Sequence, residues 1–272
     1  MAEILDVMRT PRLAPLTAGA FLCLVGACTG DVQKFEAQEV EGPPEVQISV
    51  VEQHAEQFHL DVPDRPAASE EEQIAAAYIL GVMQQNGYFA RLDSVPVADL
   101  FRSTNVIAEP EGGAEDPAAI VVVPYGTGPG SPDNNAALGL FLELGRALNV
   151  AAPVHKVQFA AVGAEYAGEG GEALGSRRLA RFLLDEGQEP LVIQLVEISE
   201  SATFSFKAYG DGAEEANRIM LELTGGNVLT DEARTVKPDV FADAGFERML
   251  VVGEPETAGE VLLGFLADLG SP

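Results

Sequence analysis

A chain of 272 residues that is 47% hydrophobic and 22% charged can bury a full core, and it reads as one α/β domain with tails. Its 43 acidic against 16 basic residues leave a net charge of −27, which repels phosphate backbones and anionic headgroups within a Debye length. That balance excludes nucleic acid as a partner, and the acid reads as a solvated surface suited to salt rather than as a cation store.

In chain order, Arg9 and Arg12 precede a short apolar run, Leu13 to Ala27, too brief for a comfortable membrane span and ending in small residues. Its close, Leu24-Val25-Gly26-Ala27-Cys28, resembles the bacterial lipobox, in which small residues precede a cysteine that is acylated on its thiol and becomes the first residue after cleavage. The expectation is a signal peptide over residues 1–27 and a mature chain tethered to a bacterial envelope membrane through lipidated Cys28, on the periplasmic side or at the cell surface. Met8 is an alternative start, and an uncleaved anchor helix is the alternative to cleavage. Cleaved and lipidated or retained as an anchor helix, the segment is expected to leave the domain outside the cytoplasm. Cys23 lies inside the apolar run, so cleavage leaves no second cysteine for a disulfide. Residues 28–45 are polar and acidic, contain Gly42-Pro43-Pro44, and read as a tether.

The domain is expected over residues 46–272. Val46 to Phe58 and Ser69 to Gln85 read as helices, the second opening on a Ser69-x-x-Glu72 capping box and closing at Asn86-Gly87. Strands are predicted over Tyr88 to Val97, Ser103 to Glu109, Ile120 to Tyr125, Val157 to Val162, Leu191 to Ile198 and Met249 to Val252. Helices are predicted over Ala136 to Leu148, Ser176 to Glu186, Ala213 to Thr224 and Glu256 to Leu269. This alternation implies a three-layer α/β/α fold with a mixed, mostly parallel central sheet.

Ligands of such sheets sit beyond the carboxyl ends of the strands. The candidate site is therefore the loop Pro124 to Asn135, the turn Gly163-Ala164-Glu165-Tyr166 running into Gly168 to Glu172, and the strand end Val196-Glu197, with acids expected to converge on Asp133. A Gly-x-Ser-x-Gly elbow is missing, which removes a serine triad. The glycines of Gly126 to Gly130 lack a following Gly-Lys-Ser/Thr and read as a turn, not a phosphate loop.

Several segments together resemble the dizinc aminopeptidases of the M28 class, from about Phe58 to Phe265. They are Asp64-Arg65 through Ala75 to Ile79, Thr104 to Ala108, Asp133-Asn134 ahead of Leu142 to Leu148, Gly163-Ala164-Glu165 followed by Leu174 to Arg177, and Val240 to Phe246. The resemblance implies the zinc-exopeptidase fold, of the phosphorylase/hydrolase-like kind. It also implies a centre of two zincs held by a bridging Asp, two His, a Glu and an Asp, with a second Glu as general base for a metal-bound water.

Carried over residue by residue, Asp133 stands at the bridging position and Glu165 at the general base, while Val196 or Glu197 stands at the next ligand. Strand alternation sends those two side chains to opposite faces, so only Glu197 could bind. Pro124 and Gly126 replace a histidine and its orienting carboxylate, Tyr166 replaces a glutamate ligand, and Pro238, beside Lys237, falls where the second histidine belongs. His54, His59 and His155 match none of these positions and read as surface or helix-packing residues.

The remaining oxygen donors suit zinc poorly and are too few for calcium or magnesium. Glu165 alternatively caps a helix or pairs with Arg177 or Lys237. The expectation is an envelope lipoprotein with a degenerate M28-like domain and no cofactor, which binds a peptide or envelope protein, its acidic floor favouring a cationic group such as a free α-amine. The alternatives are a divergent metal-dependent aminopeptidase of the same class, with zinc, and a structural subunit of an envelope complex.

Overall fold

In a computed structural model, residues 42–98, 100–110, 116–152, 155–167, 172–211, 213–224 and 239–269 are described. The expected signal run, Cys28, most of the tether, Gly168 to Gly171, Lys237 and Pro238 lie outside them.

Helices α1 (Ile48–Asp61) and α2 (Glu70–Gln85) lead in. Ser69 caps α2 as expected, its hydroxyl accepting the Glu72 N–H at 3.0 Å. The box is nevertheless only half formed, because the Ser69 N–H goes to the Pro66 carbonyl and the Glu72 carboxylate turns inward. Glu72 belongs to the buried stripe of α2 with Ala75, Ala76, Ile79 and Met83, a helical spacing that dictates which way it faces.

Then follow β1 (Tyr88–Pro96), β2 (Arg102–Pro110), β3 (Ala119–Pro124), α3 (Asn135–Ala151), β4 (Val157–Val162), α4 (Leu174–Asp185) and β5 (Leu191–Ile198). The chain continues through β6 (Ser205–Tyr209), α5 (Ala213–Leu223), α6 (Val240–Asp243), β7 (Arg248–Gly253) and α7 (Pro255–Leu269). The sheet order is β1-β2-β4-β3-β5-β7-β6. The central strands β4, β3, β5 and β7 are parallel, and β1, β2 and β6 run antiparallel at the edges. The three-layer α/β fold expected from the alternation is the one formed. Strand β6 and the four-residue α6 are additions: both are short, and Ser205 to Tyr209 includes Lys207 in its alternation and so lacks the apolar run that marks a buried strand.

Strand β3 is buried on both faces, which is why it reads as an unbroken apolar run. Val121 and Val123 join the larger core beneath α1, α2, α3, α5 and α7, while Ile120 and Val122 join a smaller one beneath α4 and α6. Phe159 of β4 packs edge-on against Tyr88 and Phe141 at the centre of the larger core. Arg146 of α3 pairs with the buried Glu143 at 2.6 Å and donates to the carbonyls of Pro43 and Glu45, fixing the entry to α1. Among the described residues no helix is long and apolar enough to cross a membrane.

Candidate functional site

The chain leaves β3 into α3 on one face of the sheet and leaves the adjacent, parallel β4 into α4 on the other. Two crossovers diverging to opposite faces open a crevice between the carboxyl ends of β3 and β4. Pro124, Tyr125 and Gly126 line its β3 side, and Gly163, Ala164, Glu165 and Tyr166 its β4 side.

Arg65 pins the β3 loop from below. It is 1% exposed, and its guanidinium donates to the carbonyls of Tyr125 and Val62 and to the side-chain oxygens of Asn134 and Asn135, at 2.6–2.9 Å. The Arg65 N–H binds the Thr127 hydroxyl and the Thr127 N–H binds the Arg65 carbonyl, so two distant segments are joined as a short parallel bridge. Burial pushes the guanidinium's pKa down, opposed by the charges of Asp133 and Asp64.

Glu165 is half-buried, and its Oε1 accepts the Ser176 N–H at 2.6 Å in the first turn of α4, the arrangement of a helix cap. Burial raises its pKa from 4.5 to about 7, against the lowering effects of the Ser176 bonds and the Arg177 charge. Ala164 before it has φ 54° and Ala173 after it φ 48°, a left-handed conformation costing an alanine about 1 kcal/mol or more. The strained turn is closed by Ala173 N–H to Glu165 O and Leu174 N–H to Ala164 O. Tyr166 stands beside Glu165, and burial together with that neighbour raises its phenol to about 12.

Asp133 is exposed, and its Oδ1 accepts the Asn135 N–H at 2.9 Å, a local turn at the start of α3. It lines a cavity of about 510 Å³ with His59, Asp64, Thr127 and Ser131, and neither Glu165 nor Glu197 lines that cavity. At the end of β5, Leu195 pairs with Val251 and Glu197 with Val252, so Val196 is the extra residue of a bulge. Strict alternation therefore does not hold across Val196 and Glu197, and these two side chains are not bound to opposite faces as expected. Pro124 is half-buried, and its carbonyl accepts the Asn134 side-chain amide.

At the base of the crevice lies Glu72, the acid of the capping box. Its two oxygens accept the Ser103 hydroxyl at 2.8 Å, the Ala164 N–H at 2.9 Å and the Ala68 N–H at 2.6 Å. Burial raises its pKa and these three bonds lower it. A Cβ added at Gly126 would come within 3.2 Å of Glu72 Oε1 and 3.4 Å of the Arg65 carbonyl, so the position of the resembled orienting carboxylate has little room for a side chain. Around it, Tyr125 donates to the Thr104 carbonyl at 2.6 Å, and Asn105 links the Gly163 N–H to the Gly175 carbonyl. The stripe running from Glu72 to Ala75, Ala76 and Ile79 was the readable signal that this acid faces inward.

Zinc is the metal that the resemblance implies, and among the described residues the donor set does not fit it. All three histidines are described: His54 Nδ1 lies 2.7 Å from the Tyr78 hydroxyl, His59 is exposed at the cavity edge, and His155 is buried before β4, at the opposite end of the sheet. Burial holds the His155 imidazole down to about 4, and it is a core residue rather than the surface or helix-packing one expected. Among the described residues no three His, Cys, Asp or Glu side chains form a group able to hold a metal ion, so the convergence expected on Asp133 is not formed there.

No protein-family model matches the chain, and no curated protein matches it in sequence. Solved structures do resemble it. A leucine aminopeptidase precursor from Bacteroides thetaiotaomicron superposes with a TM-score of 0.67 at 14% identity, over 84% of this chain and 99% of that one. A glutaminyl cyclase from Fimbriiglobus ruber gives 0.65 at 15% identity, over 84% and 97%. A zinc aminopeptidase from Bacillus subtilis gives 0.65 at 12% identity, over 86% and 97%. The chain has the fold shared by these zinc-dependent exopeptidases and glutaminyl cyclases.

Proposed function

We propose that the chain is a bacterial envelope lipoprotein, anchored through lipidated Cys28, whose exopeptidase-like domain binds a peptide or protein partner and does not cleave it. The observation that carries this reading is the engagement of the crevice's polar groups by the protein itself. Glu72 is taken up by three donors, Glu165 caps α4 and Asp133 turns on its own loop. Catalysis of the resembled kind needs a base and ligands free to face substrate and metal. The acidic surface supports a cationic partner group.

One observation favours the second reading, a divergent aminopeptidase or cyclase: a carboxylate at about 7 has the affinity of a general base poised at neutral pH. Zinc analysis of the full chain, with hydrolysis of leucyl-anilide and cyclisation of a glutaminyl peptide, separates the two. The binding reading expects substoichiometric zinc and no turnover above buffer. Stoichiometric zinc with turnover that vanishes in Glu165→Ala would overturn it. For the anchor, Cys28→Ala is expected to move the protein from the membrane to the soluble fraction; unchanged membrane association refutes lipidation at Cys28.

A further inference from the structure

A second cavity lies away from the crevice. It is a groove of about 1300 Å³ that runs beside α7 from Glu254 to Ala267. At 1.5 Å per residue that stretch is roughly 20 Å long, and small-molecule sites commonly enclose about 300–1,000 Å³, so the groove has the dimensions of a peptide segment.

Its chemistry changes along its length. At the start of α7 the walls carry Glu200, Glu254, Glu256 and Glu260, with Glu45 also in the lining and no basic side chain among the described lining residues. None of these five carboxylates forms an ion pair among the described residues. Acids in a first helical turn stabilise the helix, and the Glu254 carboxylate also accepts the Thr257 hydroxyl at 2.6 Å, so Glu254 and Glu256 have a local role. Glu260 lies beyond that first turn, and Glu45 and Glu200 come from outside α7. Toward the far end of α7 the lining becomes Leu263, Gly264 and Ala267, facing Leu223 of α5, which is 40% exposed. Phe204 and Val261 form the floor between the two ends.

We propose that this groove docks a basic amphipathic segment of a partner protein, its lysine or arginine side chains against Glu256 and Glu260 and its apolar side chains over Leu223 and Leu263. Charge complementarity selects that occupant. A second copy of the chain carries −27 and is repelled from an acidic wall. The inference rests on the binding reading above and moves the binding surface from the crevice to α7.

The probe is a fluorescent peptide with lysines in one half and leucines in the other, titrated by anisotropy into the full chain, beside a peptide with glutamate in place of each lysine. The lysine peptide is expected to bind and to weaken by about tenfold when salt shortens the Debye length from roughly 10 Å to 3 Å, while the glutamate peptide stays unbound. Glu260→Lys removes attraction, and Gly264→Phe projects a ring into the groove past Leu223 Cδ2, the nearest atom at 3.3 Å. Each is expected to cost about tenfold or more in affinity with an unchanged circular dichroism spectrum. Binding that survives both variants and is lost in Asp133→Asn overturns the groove and leaves the crevice as the binding site. Failure of the wild-type chain to bind the lysine peptide at about 1 mM overturns the groove as well.

Discussion

Replacing Glu165 with glutamine tests how the crevice treats charge. In the folded chain burial lifts this carboxyl from 4.5 to about 7. A raised carboxyl binds its proton more tightly when folded, so its contribution to stability is full below about 4.5, declines as pH rises and is gone above about 7. At about 1.36 kcal/mol per unit, the ionised side chain costs the fold about 3 kcal/mol at pH 8, an upper value because Glu165 is only half-buried and water screens it. Glutamine has the same shape, carries no charge and can still accept the Ser176 N–H, although a neutral acceptor returns about 1 kcal/mol less than a charged one.

Glu165→Gln is therefore expected to stabilise the protein by about 1–2 kcal/mol at pH 8 and to change little at pH 4.5. Urea unfolding followed by circular dichroism across pH 4.5–8.5 measures the difference between variant and wild type. That subtraction also removes His155, whose effect is opposite in sign: its imidazole is held down to about 4, so its contribution is lost as pH falls from 6.5 toward 4. A variant that is less stable than wild type at pH 8, or a difference that does not vary with pH, would show that the Ser176 cap outweighs the burial of charge and would refute the reasoning.

Glu72→Ala strands the Ala68 N–H, the Ala164 N–H and the Ser103 hydroxyl, and is expected to cost about 3 kcal/mol or more by thermal unfolding; Glu72→Gln should recover part of it. Arg65→Lys cannot reproduce the fork that holds Tyr125, Asn134 and Asn135, so backbone amides 125–135 should exchange hydrogen faster while those of β3 keep their protection. Gly175→Ala places a Cβ 2.1 Å from the Gly163 carbonyl and is expected to abolish soluble expression, whereas Gly81→Ala, with nothing within 4 Å in the interior of α2, should raise stability by about 0.5–1 kcal/mol.

The strands and helices were legible wherever one kind of periodicity dominated. The apolar runs of β3, β4 and β5 and the stripe of α3 are each set by burial against two layers, and burial is what a hydrophobic pattern records. Glu72 shows where that legibility stopped. Two local rules compete for its position, the capping box that wants it outside and the core stripe of α2 that wants it inside. Burial won because Ser103 and Ala164, 31 and 92 residues away, supply donors that no local reading contains. The same holds for the bulge at Val196, which is fixed by pairing with β7 and not by the composition of β5.

The crevice and the groove can be compared on the same physical ground. A site that binds must leave polar groups facing outward, because groups already paired within the protein return little when a ligand replaces their partners. In the crevice, Glu72 and Glu165 are hydrogen-bonded within the protein, and the left-handed turn at Ala164 is held by one of those bonds. Strain held by internal hydrogen bonds stiffens a scaffold, and opening it to a ligand would release those bonds. Along α7 the carboxylates of Glu200, Glu256 and Glu260 face solvent over an apolar floor, so a cationic segment would displace water rather than protein partners. On that accounting a cationic segment would displace fewer protein hydrogen bonds along α7 than in the crevice, which is why the proposal above places recognition there.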